Sequence, residues 1–377
     1  MTSSSPPHGG STRCPPPAVH MFAPTTVQGS AVPSRFADTR RFATLHVVGV
    51  YSNPRRWASR ERLFLEWMQR TMETPGVHLT VVEHAFGERP FLISDAVHDF
   101  DLVQFRGGPE HELWLKEGLV NAGFASILRR HPDAKYLCWE DADVTHVHPS
   151  WADETVHMLQ HHRVGQTWTH AVDLDPGYSC ATNEHGKDVD RSFCAAWLAG
   201  DIQLPKDQAQ SRALLTHSKI TDWRQHYGYS WAIRADALKG IGRLIDWMVT
   251  GSADYHMSMG FCGKMLSITD KELADNRSGL SAGYVRRLRE FGAKCHDHIR
   301  QDLGCVPGII MHHWHGNKKQ RAYIGRKDII IESGFDPDID LVYDVHGLPT
   351  LATDNRLLRD GLRRYSYSRN EDSIDVI

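Results

Sequence analysis

Apolar and polar positions divide the chain into a polar leader and an alternating series of strands and helices. Residues 43–54, ATLHVVGVYSNP, are a short Val-rich run closed by Ser52, Asn53 and Pro54, which predicts a buried strand. A helix follows over 59–72, with Ser59 as N-cap, Leu63, Trp67 and Arg70 in helical register, and a stop near Pro75–Gly76. Strands are predicted at 77–86 and at 101–108, the second ending in a glycine turn. A helix is predicted over 112–130, and a strand over 135–143 that ends in acid. The order β-α-β-β-α-β predicts an α/β domain with a largely parallel sheet. Beyond it the pattern gives a helix at 151–162, a strand at 163–171 and a polar loop over 173–190. Helical segments follow near 207–222, 234–250, 254–265 and 282–299, then a strand at 308–316 ending in a histidine cluster. After about 345 the chain turns polar and reads as a short helix or tail. There is no internal repeat.

The leader changes the domain picture. Residues 1–42 hold seven Pro, many Ser and Thr, and few large apolar residues. Such a segment cannot bury enough surface to offset its ordering entropy, so it reads as a disordered, solubilising tail. Contact with an acidic partner is the alternative use of its +3 charge (Arg13, Arg35, Arg40 and Arg41 against Asp38). The expected organisation is therefore tail 1–42, folded domain 43–345 and polar extension 346–377.

Composition narrows the class without naming a chemistry. Of 377 residues, 41% are hydrophobic and 24% charged, which excludes global disorder, collagen-like repeats and low-complexity fibres. The net charge of −3 gives no strong signature for nucleic acid. No stretch approaches eighteen consecutive apolar residues, so no transmembrane helix is predicted, and the N-terminus lacks the apolar core of a secretory signal. The cysteines are Cys14, Cys138, Cys180, Cys194, Cys262, Cys295 and Cys305: odd in number, widely spaced and without CxxC. That pattern fits a reducing compartment, nucleus or cytoplasm, and argues against a disulfide framework or a thiolate zinc site. With 24 His in the chain, single histidines carry little weight.

Five segments carry candidate chemistry. In Trp139-Glu140-Asp141-Ala142-Asp143 an apolar strand delivers two carboxylates to its carboxyl end, where open α/β sheets bind ligands. Asp141 and Asp143 suit a hard divalent cation holding a diphosphate; the bland alternative is a solvated turn. In the run His312–Arg321, His313 and His315 share a strand face by period two, and Lys318 and Arg321 follow as phosphate-binding cations. A surface histidine patch is the bland reading there. In GSADYHM (251–257), Asp254 is either a helix N-cap or a general base for an acceptor hydroxyl. In WLKEGLVN (114–121), Lys116 and Asn121 either face a donor nucleotide or lie on an exposed helix face. In GYSWAIR (228–234), Trp231 either walls a sugar site or packs in the core.

Taken in order, WLKEGLVN, WEDAD, GYSWAIR, GSADYHM and HHWHG resemble nucleotide-sugar glycosyltransferases of the GT-A fold. They are similar in particular to a phage and bacterial group. That group shows Trp-x-Lys-Glu-x-x-x-Asn, Trp-x-Asp-x-Asp, Gly-x-x-Trp-Ala-x-Arg, Gly-x-x-Asp-x-x-Met and His-x-Trp-His-Gly. The resemblance covers about residues 44–330 and implies a GT-A, Rossmann-like fold with a mostly parallel central sheet and flanking helices. It implies a UDP-sugar donor, UDP-glucose first, and Mn²⁺ or Mg²⁺ held by Asp141 and Asp143 with His313 or His315 adding a ligand. Asn53, Arg55, Lys116, Asn121, Trp231, Lys318 and Arg321 are the expected donor contacts, with Asp254 and Asp143 catalytic. The same superfamily includes the kinetoplastid base J glucosyltransferases, which act on hydroxymethyluracil in DNA. That makes DNA containing this base the expected acceptor; a glycan, a protein or a small molecule is the alternative, as is a non-catalytic nucleotide-sugar-binding protein.

Overall fold

The Val-rich run after the leader lies within a seven-stranded sheet in a computed structural model that describes residues 43–94, 96, 98–177, 189–202, 225–275, 278–321 and 325–375. The tail 1–42, most of the loop read over 173–190 and the helix read near 207–222 lie outside the described residues. Strands β1 (Leu45–Ser52), β2 (Val77–Phe86), β3 (Asp101–Gly107) and β4 (Tyr136–Glu140) run parallel, in the spatial order β3-β2-β1-β4. Helices α1 (Ala58–Met72), α2 (Lys116–Arg130) and α3 (Trp151–His161) pack against them.

The following strands are short: β5 (Val144–His146), β6 (Val164–Gln166), β7 (His170–Asp173), β8 (Val189–Ser192), β9 (Gln225–His226) and β10 (Ser230–Arg234). With β11 (Leu303–Cys305) and β12 (Ile309–His312) they complete two sheets, β11-β6-β10-β4-β1-β2-β3 and β5-β12-β7-β8-β9. In the larger sheet only β10 runs against the rest. The fold is therefore the expected α/β class, a mostly parallel central sheet with flanking helices. A hairpin, β13 (Leu341–Tyr343) with β14 (Pro349–Leu351), stands apart from both sheets. The other helices are α4 (Phe193–Leu198), α5 (Ala235–Ile241), α6 (Ala253–Phe261), α7 (Met265–Asp275), α8 (Ala282–His298), α9 (Asp328–Glu332) and α10 (Arg356–Ser368).

Strand alternation sorts the core onto the two sheet faces. Leu45 and Val47 of β1, Val81 of β2 and Cys138 of β4 meet Phe64 and Trp67 of α1 and Val156 and Leu159 of α3. Val48, Val82 and Trp139 face the other way, onto Leu119, Phe124 and Ile127 of α2 and onto α5, α6 and α8. Trp67 lies so close to β1 that a Cβ at Gly49 would stand 2.1 Å from its ring. Only glycine admits that approach.

Several boundaries differ from the sequence reading, each for a local reason. The strand read over 135–143 stops at Glu140, and the acids lie in the turn beyond it. The strand read over 163–171 is two strands belonging to different sheets. The helix read over 234–250 ends at Ile241, because Gly242 takes φ +87° and reverses the chain. Residues 243–252 then run as irregular chain with Leu244, Ile245, Met248 and Val249 buried. Ser59 is not the N-cap of α1. That position is Trp57, and the first N–H groups, of Ala58 and Ser59, donate to the Asp372 carboxylate at 2.9 and 2.7 Å. Residues 346–375 thus pack back onto the domain, with Leu358, Leu362 and Tyr365 buried. Among the described residues, no helix is long and apolar enough to cross a membrane.

Candidate functional site

Parallel strands leave their carboxyl ends as a rim, and the acid turn after β4 sits on it. Two backbone bonds fix that turn. Asp141 N–H donates to Tyr229 O (2.7 Å), and Asp143 O accepts from His313 N–H (2.7 Å). Both carboxylate oxygens of Glu140 are occupied, one by Trp67 Nε1 and one by His146 Nε2, each at 2.7 Å. Glu140 therefore anchors the turn. Asp141 and Asp143 line a cavity closed by residues from β1, α2, the starts of β10 and α6, the end of β12, and α10 with the chain beyond it.

Asp143, His312 and His315 bring one potential metal-donor atom each within 4.8 Å of the others. Asp143 Oδ2 lies 2.8 Å from His315 Nε2 and 3.8 Å from His312 Nε2. Asp143 Oδ1 is buried with no hydrogen-bond partner among the described residues. On the far side of the His312 ring, Nδ1 bonds Asp173 Oδ1 at 2.7 Å. A carboxylate behind a ring whose other nitrogen faces a donor cluster is how proteins orient a histidine toward a metal. Burial lowers the His312 pKa, but its bonds to Asp143 and Asp173 outweigh that and raise it above the ordinary value. Burial and then the Arg321 charge bring His315 down to about 4, so it is a neutral imidazole at pH 7. The residues present fit a divalent cation.

Beside this set, Lys116 at the start of α2 forms an ion pair with Asp141. Burial disfavours the Lys116 charge, yet the carboxylates of Asp141, Glu117 and Asp254 raise its pKa above the ordinary value. Glu117 is buried on the same wall, and burial pushes its carboxyl up to about 7 against the pull of Lys116. Asp254 lies in the first turn of α6, where its Oδ1 accepts from Tyr255 N–H at 2.9 Å. A Cβ at Gly228 would stand 2.7 Å from Asp254 Oδ2, so glycine there keeps the acid in place. Two non-glycine residues on this wall hold left-handed backbone, Tyr229 (φ +75°) and Ser252 (φ +73°). Such strain persists where surrounding structure fixes it, commonly at functional sites. The Tyr229 ring stacks on His226 at 3.7 Å and stands 4.8 Å from His312.

Arg60, Arg326 and Arg369 of the cavity are held from the C-terminal segment. Glu371, 1% exposed, accepts from Arg60 (2.5 and 2.9 Å) and from Arg369 (2.6 Å). Arg326 donates to Tyr365 Oη (3.0 Å) and to Ser252 Oγ. Arg369 also stands over the Trp114 ring, 5.0 Å from its centroid.

Of the residues singled out in the sequence, Asp141, Asp143, His315, Arg55, Lys116, Arg321 and Asp254 meet in this cavity. The others do not. His313 turns to Thr145 Oγ1 (2.7 Å), and His312 takes the place beside Asp143. β12 ends at His312 and the chain then turns, Gly316 having φ +88°, so the period-two face expected over 308–316 does not extend to His315. Trp231 is a core residue, stacked on Trp139 with centroids 6.2 Å apart and its Nε1 donating to Tyr227 O. Asn121 fastens the irregular chain after α5, bonding Leu244 N and O and Asp246 Oδ2. Asn53 closes the turn before α1 through Trp57 N and O. The side chain of Lys318 lies outside the described residues. The reading missed His312 and the Arg60–Glu371–Arg369 group. His312 stood inside a quoted motif; the rest had no local signal.

No protein-family profile matches the chain, and no curated protein matches it. A solved structure of a candidate nucleotide-diphospho-sugar transferase from Desulfovibrio desulfuricans G20 aligns with 78% of this chain and 97% of its own. The identity is 10% and the TM-score 0.31, too loose a likeness to transfer any residue.

Proposed function

We propose that the chain is a divalent-metal-dependent glycosyltransferase that moves a hexose from a nucleoside diphosphate sugar to a hydroxyl acceptor. The observation that carries this reading is the meeting, on the carboxyl rim of a parallel sheet, of Asp143, His312 and His315 with Lys116, Arg321 and Asp254 in one cavity. Asp143, His312 and His315 would hold the cation, and two imidazoles favour Mn²⁺ over Mg²⁺. When bound, that cation neutralises charge on the departing diphosphate. Lys116 and Arg321 bind the phosphates in this reading, and Asp254 takes the proton of the acceptor hydroxyl. Glu117, raised to about 7, is a carboxyl on the same wall able to hold a proton near neutral pH.

UDP-glucose is the donor, and the hydroxymethyl group of 5-hydroxymethyluracil in DNA the acceptor, that the sequence resemblance supplies; a DNA acceptor brings a nuclear location with it. The test has two stages. Nucleotide sugars are titrated with and without Mn²⁺, then labelled sugar is offered to duplexes with 5-hydroxymethyluracil or thymine and to glycan and small hydroxylated acceptors. Metal-dependent binding and transfer that Asp143→Asn abolishes is the expected result. Absence of nucleotide-sugar binding in the presence of Mn²⁺ overturns the reading. Transfer to a non-DNA acceptor replaces the acceptor alone, and binding without transfer to any acceptor leaves a nucleotide-sugar-binding protein.

A further inference from the structure

The amino ends of the same parallel strands, opposite the cavity, carry a second group of donors. His46 and His78 are the second residues of β1 and β2 and are paired in register. His46 shares a sheet face with Val48, the face that α2 covers. His131 follows the last residue of α2, its N–H bonded to Ile127 O. That helix end delivers a third imidazole onto the first two. The ring centroids are 5.3 Å (His46–His78), 5.0 Å (His46–His131) and 4.6 Å (His78–His131) apart. One nitrogen from each lies within 4.8 Å of the others.

Asp101, the first residue of β3, borders this group. Its Oδ2 bonds His131 Nε2 at 2.8 Å and His78 Nε2 at 3.1 Å, and its Oδ1 is held by Arg130 at 2.8 Å. His46 is 7% exposed, and its Nδ1 has no hydrogen-bond partner among the described residues. A buried polar atom without a partner is costly, and in a ring set against two other imidazoles it points to a missing ligand.

We propose that His46, His78 and His131 bind a divalent transition-metal ion of the zinc class, with Asp101 as the neighbouring carboxylate. Three imidazoles are a donor set for Zn²⁺ rather than for Mg²⁺ or Ca²⁺. Tetrahedral ligation at ~2.0–2.1 Å needs nitrogens on the order of 3.3 Å apart, which small ring rotations reach. The carboxyl end of α2, the negative end of its dipole, lies at the site and favours a cation. His78 and His131 are partly exposed, which leaves a route for the ion. The ion would join β1, β2, β3 and α2, elements distant in sequence, and bind the folded chain alone, so it would stabilise the fold.

The test uses the full chain carrying Asp143→Asn, which silences the cavity's own donor set, stripped of metal by chelation. Titration with Co²⁺ is expected to give the visible bands of a tetrahedral nitrogen site at one equivalent, displaced by Zn²⁺, and Zn²⁺ is expected to raise the thermal transition. Adding His78→Gln and His131→Gln should abolish the bands and the thermal shift. The affinity loss should exceed the ~10–100-fold that removal of an outer partner costs. His131→Gln alone, at the solvent edge, serves if the combined variant fails to fold. No Co²⁺ bands in the Asp143→Asn protein, or bands and shift that survive loss of His78 and His131, would overturn the site.

Discussion

Asp173→Asn separates a metal site from a chance histidine cluster. Asp173 does not line the cavity; its oxygen lies 2.7 Å from His312 Nδ1, behind a ring whose Nε2 is 3.8 Å from Asp143. Asparagine keeps an acceptor oxygen of similar reach but removes the charge that fixes the ring and strengthens it as a ligand. Loss of such an outer partner costs ~10–100-fold in metal affinity, or about 1.4–2.7 kcal/mol. Mn²⁺ affinity, read by electron paramagnetic resonance or calorimetry, should fall by that factor. UDP affinity measured in chelator should stay within about twofold, because neither Lys116 nor Arg321 is touched. Equal loss of both affinities would mean that the cavity had collapsed. Mn²⁺ binding unchanged within twofold would refute the orienting role of Asp173.

Three further outcomes follow from buried charge and close packing. Glu117 is raised from 4.5 to about 7, so the folded chain binds more protons than the unfolded chain between those values. Its contribution therefore declines as pH rises through that window, by about 1.4 kcal/mol per unit, and stays flat above 7. Denaturant melts of Glu117→Gln against the parent from pH 4.5 to 8 should show the variant gaining relative stability up to pH 7; parallel curves would dismiss the shift. Glu371→Ala leaves Arg369 buried without its carboxylate and should destabilise by about 3 kcal/mol, the low end for a broken buried pair because Arg60 can reach solvent. A chemical melt within 1 kcal/mol of the parent would contradict that. Gly49→Ala puts a methyl group 2.1 Å from the Trp67 ring and should cost roughly 1–3 kcal/mol by overpacking. If its thermal transition matches the parent's, Trp67 is not held where described.

The local pattern in the chain determined the first half of the domain. A Val-rich run with a turn at its end reads as a buried strand, and 77–86 was bounded to the residue, because strand burial and turn chemistry act over a few neighbours. The Asp-x-Asp after an apolar strand identified the rim for the same reason: parallel strands present their carboxyl ends together. What only tertiary structure decided are the partners. Whether His312 or His313 faces Asp143 depends on where β12 leaves its sheet, set by pairing with β5 and β7 and not by period two within 308–316. Trp231 faces the core because β10 inserts antiparallel between β4 and β6, which the sequence of β10 does not encode alone. Asp372 caps α1 and Glu371 holds Arg60 across more than 300 residues, so the polar end of the chain is part of the site wall. Long-range electrostatic pairing leaves no local periodicity to read, whereas burial of alternating side chains does.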